Sequence, residues 1–539
     1  MNYIELFAGC GGLCVGMKSA GFNLVLANEI SPMAAETFAY NLLGEDLNSP
    51  LTISKTFWIN SKFPKDDLSR LREDYRVASK MPSNELFNEL EHIDDLASLK
   101  GGLLVGSILD LNSLLSKNKQ LLQTIRSSFG GDKDRVDLVS GGPPCQSFSM
   151  AGLRDHASAK NQLPWAFAEF VSKVKPRMVM LENVTGILRA FKVDGELHYA
   201  WFEVAKAFAS KGCDYVPVCL HVNAKNVGAA QNRPRFIMLG FEKKLVRKIL
   251  TSGKLGAVSK EVFIKSLDFF EQVQQGNEPD YDSSLYYDLS RNHPIFKEWP
   301  FNHMNKNPFD NAACSSSVFD AIHDIKSPEN ITSPSDYVNL INRLSASLDT
   351  LSKHEYGLPP NHELRANGAR VKARFWLYQV MARITNPLML NNLKSYLKSP
   401  ESNSLSDADL EYLSSEKFLT VKGEIKSLLN KGSIREHLIS LQTKKQTQRA
   451  LVATAPAPAA LSIPDDACHY DEEQLRTLTL REMARFQSFP DKFEFRSKVT
   501  TGGKMRQFEV PQYTQVGNAV PPLLGKALGN MCRDFLSFK

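Results

Sequence analysis

No two of the eight cysteines form a C-x-x-C pair; they stand scattered at 10, 14, 145, 213, 219, 314, 468 and 532. That scatter predicts neither a disulfide framework nor a zinc site, so no metal is expected and a reducing cytoplasm fits. The chain also lacks any uninterrupted apolar stretch of about 20 residues, so no membrane-spanning helix is expected. It opens MNYIELFAGCGG, with no basic segment ahead of an apolar one, and a secretory signal is not expected either. Charge of one sign is barely in excess. Against 59 Asp and Glu stand 65 Lys and Arg, and a net +6 permits a polyanionic partner without requiring one. Absent, too, are G-x-G-x-x-G and a glycine loop ending in Lys-Ser or Lys-Thr, which argues against a dinucleotide or a nucleoside triphosphate.

What is present reads as a globular α/β chain. With 42% hydrophobic and 23% charged residues, its 539 residues suffice for two or three domains. The stretch YIELFAGCGGLCVGMKSAGFNLVLANE predicts a strand over Tyr3–Phe7 and a glycine turn at Gly9, Gly11 and Gly12. A helix over Leu13–Ala20 follows, stopped by Gly21, and then a strand from Asn23 that ends at Glu29. An acidic residue about 20 positions beyond such a turn is placed to grip a ribose hydroxyl pair. Without a phosphate loop, this is the pattern of a nucleoside that carries no pyrophosphate.

Three further strand ends carry chemistry. Val136–Val139 runs into SGGPPCQSFSMAG, where Pro143 and Pro144 restrict the backbone just ahead of Cys145. A thiol at the C-terminal mouth of a parallel strand is a candidate nucleophile. Met178–Leu181 closes on Glu182 and Asn183, while Gln231, Arg233 and Arg235 precede the strand Phe236–Phe241. Singly, these residues also read as an inert buried thiol, a solvated carboxylate and an exposed turn. Together, behind a nucleoside-type turn, they are the convergent polar groups of an active site.

With these residues the chain resembles the cytosine-C5 DNA methyltransferases, which use S-adenosylmethionine. ELFAGCGG, NEI, GGPPCQSFSMAG, LENV, QNRPR, LTLREMARFQSFPDKFEF and QVGNAVPP follow the family's order from residue 5 to about 522. The resemblance implies an α/β, Rossmann-like S-adenosylmethionine-dependent methyltransferase domain over 1–241 plus 511–539, with an insertion at 44–101. A second, mixed target-recognition domain would fill 242–510. Cys145 would add to C6 of cytosine, Glu182 would hold N3 and the exocyclic amine, Arg235 would grip O2 and Arg233 would support the pocket. The cofactor would meet Phe7, Ala8, Gly9, Gly11, Gly12, Glu29, Ile30, Ser107, Ile108, Pro143, Asn518 and Ala519.

Some positions depart from the family pattern. Glu5 stands where aspartate is frequent, and Ile30 where some members place an aromatic ring. Ser107 replaces an aspartate that binds the adenine amine, leaving Ser107 or Asp110 to that contact. The implied substrate is double-stranded DNA with the target base flipped out, and 147–162 would close over it. The implied setting is a cytoplasmic, nucleoid-associated monomer paired with a restriction or phage-defence system. An RNA (tRNA) cytosine methyltransferase, or a DNA-binding defence subunit with a vestigial site, are the competing readings.

Elsewhere, 44–101 reads as a surface helical excursion and 261–340 as acidic and loop-rich. The segment 363–398 swings basic: Val371, Phe375, Tyr378 and Ala382 fall on one helical face, with Arg365, Arg370 and Arg374 among the candidate phosphate contacts. KKQTQR at 444–449 and the Ala/Pro run behind it read as a flexible connector. LTLREMARFQSFP is expected to organise the recognition region rather than to do chemistry.

Overall fold

The computed structural model describes residues 1–49, 54–78, 80–131, 134–144, 163–193, 196–309, 316–445, 448–459 and 462–538. Cys145 and the stretch 147–162 lie outside the described residues.

Nine strands form one sheet: β1 (Asn2–Leu6), β2 (Asn23–Glu29), β3 (Thr56–Trp58), β4 (Gly102–Val105), β5 (Leu138–Gly141), β6 (Met178–Val184), β7 (Tyr215–Asn223), β8 (Pro234–Glu242) and β9 (Tyr286–Asp288). They lie in the order β9-β7-β8-β6-β5-β1-β2-β4-β3. From β6 to β3 all neighbours run parallel, while β8 inserts antiparallel to both β6 and β7. Apolar runs such as MVML and LLV are buried on both faces, as a parallel sheet requires. Strand order reverses between β1 and β5, and a crevice opens at the carboxyl ends of strands that flank such a reversal.

The insertion at 44–101 is not a helical excursion. Thr56, Phe57 and Trp58 are β-branched or aromatic, and they pair with β4 to extend the edge of the sheet, with Trp58 2% exposed. The remainder is mostly short 3₁₀ turns, three of them N-capped by Asp67, Asn88 and Asp95. Within 261–340, the acidic composition conceals apolar spacing. Helix Ala257–Gln274 packs on β7 and buries Phe263, Phe269 and Phe270 in the core of the sheet.

A separate buried cluster forms from residues 373–468, around Phe375, Leu377, Tyr378, Leu413 and Phe418. Helix Ala369–Ala382 supplies much of it, but Ala382 is exposed, because the helix ends there and Arg383 turns out to Glu416 and Glu472. The supposed flexible connector is docked. Ala457–Pro458 pairs in parallel with Gln231–Asn232, next to the catalytic candidates.

LTLREMARFQSFP forms helix Leu480–Phe486, opened by a capping box between Thr479 and Glu482. Its charged side chains are buried and matched. Arg476 chelates Glu482, and Arg485 bridges Asp324 and Asp491. Arg481 donates to the carbonyls of Pro360, Pro490 and Phe493. Against burial, which alone would raise them, these arginines hold the carboxyls of Glu482 and Asp491 down at about 2.

The chain ends where it began. After α1 (Gly12–Ser19), the helices α2 (Gln512–Asn518) and α3 (Pro522–Leu536) return to the first turn, and α3 lies against α1. A Cβ at Gly16 would fall 2.4 Å from the Pro522 carbonyl oxygen and 2.5 Å from the Gly525 carbonyl carbon, so the helices touch backbone to backbone. Gly16→Val must push α3 away. We expect an overpacking cost of at least about 1–3 kcal/mol, read as a lower midpoint in thermal or urea unfolding; an unchanged midpoint would contradict this packing.

Candidate active site

The carboxyl ends of β1, β2, β5 and β6, together with 510–520, enclose a cleft of about 420 Å³. On one side lies the glycine turn. Phe7 adopts φ 54°, a left-handed conformation that costs a non-glycine residue energy and turns the chain sharply out of β1. Gly9 N–H then donates to Glu29 Oε2 at 2.8 Å, and Ser31 N–H donates to Oε1 at 2.8 Å. Each Glu29 oxygen keeps a lone pair for a further donor. Burial raises the Glu29 carboxyl, while these amides oppose the shift.

Deeper in the cleft, Glu5 is 2% exposed and its Oε2 has no hydrogen-bond partner among the described residues. Burial pushes its carboxyl up to about 8, and the charge of Glu29 adds to the rise. Cys10 lines the same space, but burial pushes its thiol up to about 12, so it stays protonated near neutral pH and is no nucleophile.

On the other side, the β6–β8 register sets Arg235 opposite Val184 and Ile237 opposite Glu182. Arg235 and Glu182 are therefore diagonal neighbours on one face, and they close as an ion pair at 5% and 8% exposure. Gly142 makes room for this: a Cβ there would lie 2.7 Å from Glu182 Oε2. Asn183 Nδ2 donates to the Pro143 carbonyl at 2.8 Å, fixing the turn that leads to position 145.

Arg233 also lines the cleft, but its guanidinium is bonded to the protein. Its guanidinium donates to the carbonyls of Ala459 (3.1 Å), Gly517 (2.5 Å) and Ala519 (3.0 Å), clamping the end of α2 to the stretch at 457–459. Burial, and then the charge of Arg235, push it below its ordinary pKa.

Of the cofactor candidates, Phe7, Ala8, Gly9, Gly12, Glu29, Ile30, Pro143, Asn518 and Ala519 line the cleft. Gly11, Ser107 and Ile108 stand behind this lining. Gly11 caps α1, and Ser107 caps helix Ile108–Lys117 by accepting the Leu109 N–H. Asp110 is partly buried and hydrogen-bonded to Asn60. Among the residues not singled out from sequence, Gln515 does the most: its Nε2 reaches the carbonyls of Met33 and Val510, and its own carbonyl faces Cys10 Sγ. Its signal was its place as the first residue of QVGNAVPP.

The basic face of 363–398 is not one surface. Arg374 donates to the carbonyls of Leu441 and Gln442, and Arg383 is spent on two glutamates. Arg370 and Lys372 are exposed, and Arg365 lies over Tyr513, its guanidinium carbon 5.3 Å from the ring centroid.

A family model for C-5 cytosine-specific DNA methylases matches residues 1–68 and 116–534. The Type II methyltransferase M.DdeI of Desulfomicrobium norvegicum is 25% identical over 537 residues, covering 98% of this chain and 87% of that protein. M.AgeI of Thalassovita gelatinovora, also a Type II methyltransferase, is 24% identical over 561 residues, covering 100% of both. Among solved structures, a putative DNA modification methyltransferase encoded within a prophage, from E. coli, aligns over 99% of each chain at 18% identity, with a TM-score of 0.43.

Glu5 generates a test by pH. Its folded pKa, about 8, lies above its ordinary 4.5, so its stabilising contribution is complete below 4.5 and is lost as pH rises through 8. Glu5→Gln keeps the neutral shape and removes the titration. In scanning fluorimetry of the protein alone, we expect the variant to melt a few degrees above wild type at about pH 8.5 and the two to converge near pH 5. Parallel curves would show that Glu5 is ionised in the fold.

Proposed function

The chain belongs to the C-5 cytosine-specific DNA methylases, and from that premise we propose that it methylates C5 of cytosine in a specific double-stranded DNA sequence, with S-adenosylmethionine as donor. One observation carries the reading: the carboxylate gripped by the glycine turn, Glu29, and the buried Glu182–Arg235 pair open on the same cleft. Relatives named as Type II methyltransferases support a modification enzyme of a restriction-modification or defence system.

The cleft suits that donor. A Cβ placed on Gly9 would meet nothing within 4 Å, so the turn presents bare backbone to an open space. Glu29 there holds free lone pairs for ribose hydroxyls, and the unpartnered oxygen of Glu5 is ready for a donor. S-adenosylmethionine would supply an electrophilic methyl group on a sulfonium.

The chain's own groups do the rest. Cytosine C5 is a poor nucleophile until the ring is converted to an enamine. The base must first leave the duplex stack to reach the cleft. The Cys145 thiolate forms a bond to C6, and the ring electrons shift toward C5 and N3. Glu182, steadied by Arg235 and carrying a proton that it shares with the base, donates it to N3 as that charge develops and accepts from the exocyclic amine, and Arg235 holds O2. Once C5 has taken the methyl group, its proton leaves to a base, the C6–S bond breaks and the thiolate is restored. Cys145 lies outside the described residues; the support for its role is its position after Pro143 and Pro144, both of which line the cleft. Arg233 is a positioning residue in this scheme. Sequence readout falls to 242–510, where the separate cluster of 373–468 lies.

Bisulfite sequencing of DNA from cells expressing the protein should show methylated cytosines in one sequence context. Methylation confined to RNA would replace the reading with that of an RNA enzyme. Cys145→Ser should abolish methylation while folding and cofactor binding persist, because an alkoxide is far harder to form than a thiolate. A duplex with 5-fluorocytosine at the target should trap only the wild type covalently.

Glu29→Ala should weaken S-adenosylmethionine binding by about 1–3 kcal/mol in calorimetry, the value of charge-assisted hydrogen bonds. Unchanged affinity would place the nucleoside elsewhere.

A further inference from the structure

A second cavity, of about 280 Å³, is walled in part by α2 and has no role in the chemistry above. The helix gives Gln515 and Asn518 to the cleft but Tyr513 and Thr514 to this cavity, so it forms a wall of both. Around it stand Arg365, from the start of the basic segment, and Arg506, from the segment before α2, with Thr500, Thr501 and Asp465.

Charge makes the cavity unusual. Asp465, its one carboxylate, is already paired with Lys445 at 2.7 Å. Arg365 and Arg506 have no ion-pair partner among the described residues: Arg365 lies over the Tyr513 ring, and Arg506 Nε donates to the Thr501 carbonyl at 3.1 Å. By contrast, Arg374 is committed to carbonyls, Arg383 to Glu416 and Glu472, and Arg496 to Glu494. Two free guanidinium forks beside threonine hydroxyls form the donor set for a tetrahedral oxyanion, and arginine suits phosphate because its paired N–H groups match two of the oxygens.

We propose that this cavity holds a backbone phosphate of the substrate DNA beside the target cytosine, with Arg365 and Arg506 as its ligands. The inference rests on the methyltransferase reading, since it takes the ligand from that substrate. The shared helix supplies the location. A strand whose cytosine enters the cleft passes the other side of α2 within reach of its neighbouring phosphates. The contact adds affinity and register, and it reads no base.

The test is binding of fluorescent cognate duplex by anisotropy across a salt series, for wild type, Arg365→Gln/Arg506→Gln and Arg365→Lys. The double variant should bind about 10-fold more weakly at low salt, with a log–log salt slope shallower by about 1 for each lost phosphate contact. Arg365→Lys, which keeps the charge, should retain the slope. Calorimetry with S-adenosylmethionine and the melting temperature should match wild type, since both side chains are exposed. A duplex with a single methylphosphonate beside the target should weaken wild type and leave the double variant indifferent. If the double variant keeps wild-type affinity and slope while wild type methylates duplex DNA, the phosphate assignment is wrong and the enzyme reading stands. If every methylphosphonate position weakens both proteins equally, the arginines act only as diffuse surface charge and the cavity assignment falls. Absence of cytosine methylation by wild type would instead remove the underlying reading.

Discussion

The cleft has walls from opposite ends of the chain, and one backbone contact makes that possible. Where Gly16 of α1 meets Pro522 and Gly525 of α3, no side chain separates the helices. The approach brings α2 over the first glycine turn, so that the Gln515 carbonyl faces Cys10 and its amide reaches Met33. Arg233 completes the closure from the middle of the chain by gripping the carbonyls of Gly517 and Ala519. Without this return, β1, β5 and β6 would present their ends to open solvent. Glu182 and Arg235 would then be screened, and an ion pair in water is worth far less than a buried one with fixed geometry.

A second constraint lies behind the first. Helix Leu480–Phe486 carries three charged side chains into the interior, and each is satisfied in full: Arg485 by two aspartates, Glu482 by Arg476 and the cap at Thr479, and Arg481 by three carbonyls. Such groups contribute little net stability over a hydrophobic alternative, but they tolerate only one arrangement of their partners. Those partners come from 324, 360 and 490–493, stretches far apart in sequence. The helix thus fixes how the loops around 320–362 meet the C-terminal return through directional bonds, and its apolar side chains lie in the core of the sheet rather than in the separate cluster of 373–468.

Much of this was legible. Long apolar runs gave the central strands within a residue or two, and the strand-end position of Glu182, Arg233 and Arg235 predicted that they would converge. The resemblance named Glu29 and Asn518, and both line the cleft. What stayed hidden shares a physical cause, namely dependence on distant partners. Thr56–Trp58 is too short to announce a strand and becomes one because β4 offers an open edge. Arg374 has the spacing of a surface cation, yet it turns to carbonyls 67 and 68 residues away. An Ala/Pro string reads as a connector until Gln231–Asn232 supplies its pairing partner. Arg233 was expected to support the pocket, but its clamp on carbonyls 226, 284 and 286 residues away could not be read from the sequence.

That clamp bears on how such enzymes exchange specificity. Ala457–Pro458 adds a short parallel pairing to the strand leading into β8, and the next carbonyl, of Ala459, takes one fork of Arg233. The stretch 457–459 is thereby stitched to the frame of the cleft. A recombination joint placed between 448 and 459 would sever that seam, and a foreign module would arrive without the backbone that seats Arg233. Natural crossovers between relatives should therefore avoid 448–459, so that the backbone seat of Arg233 is inherited intact.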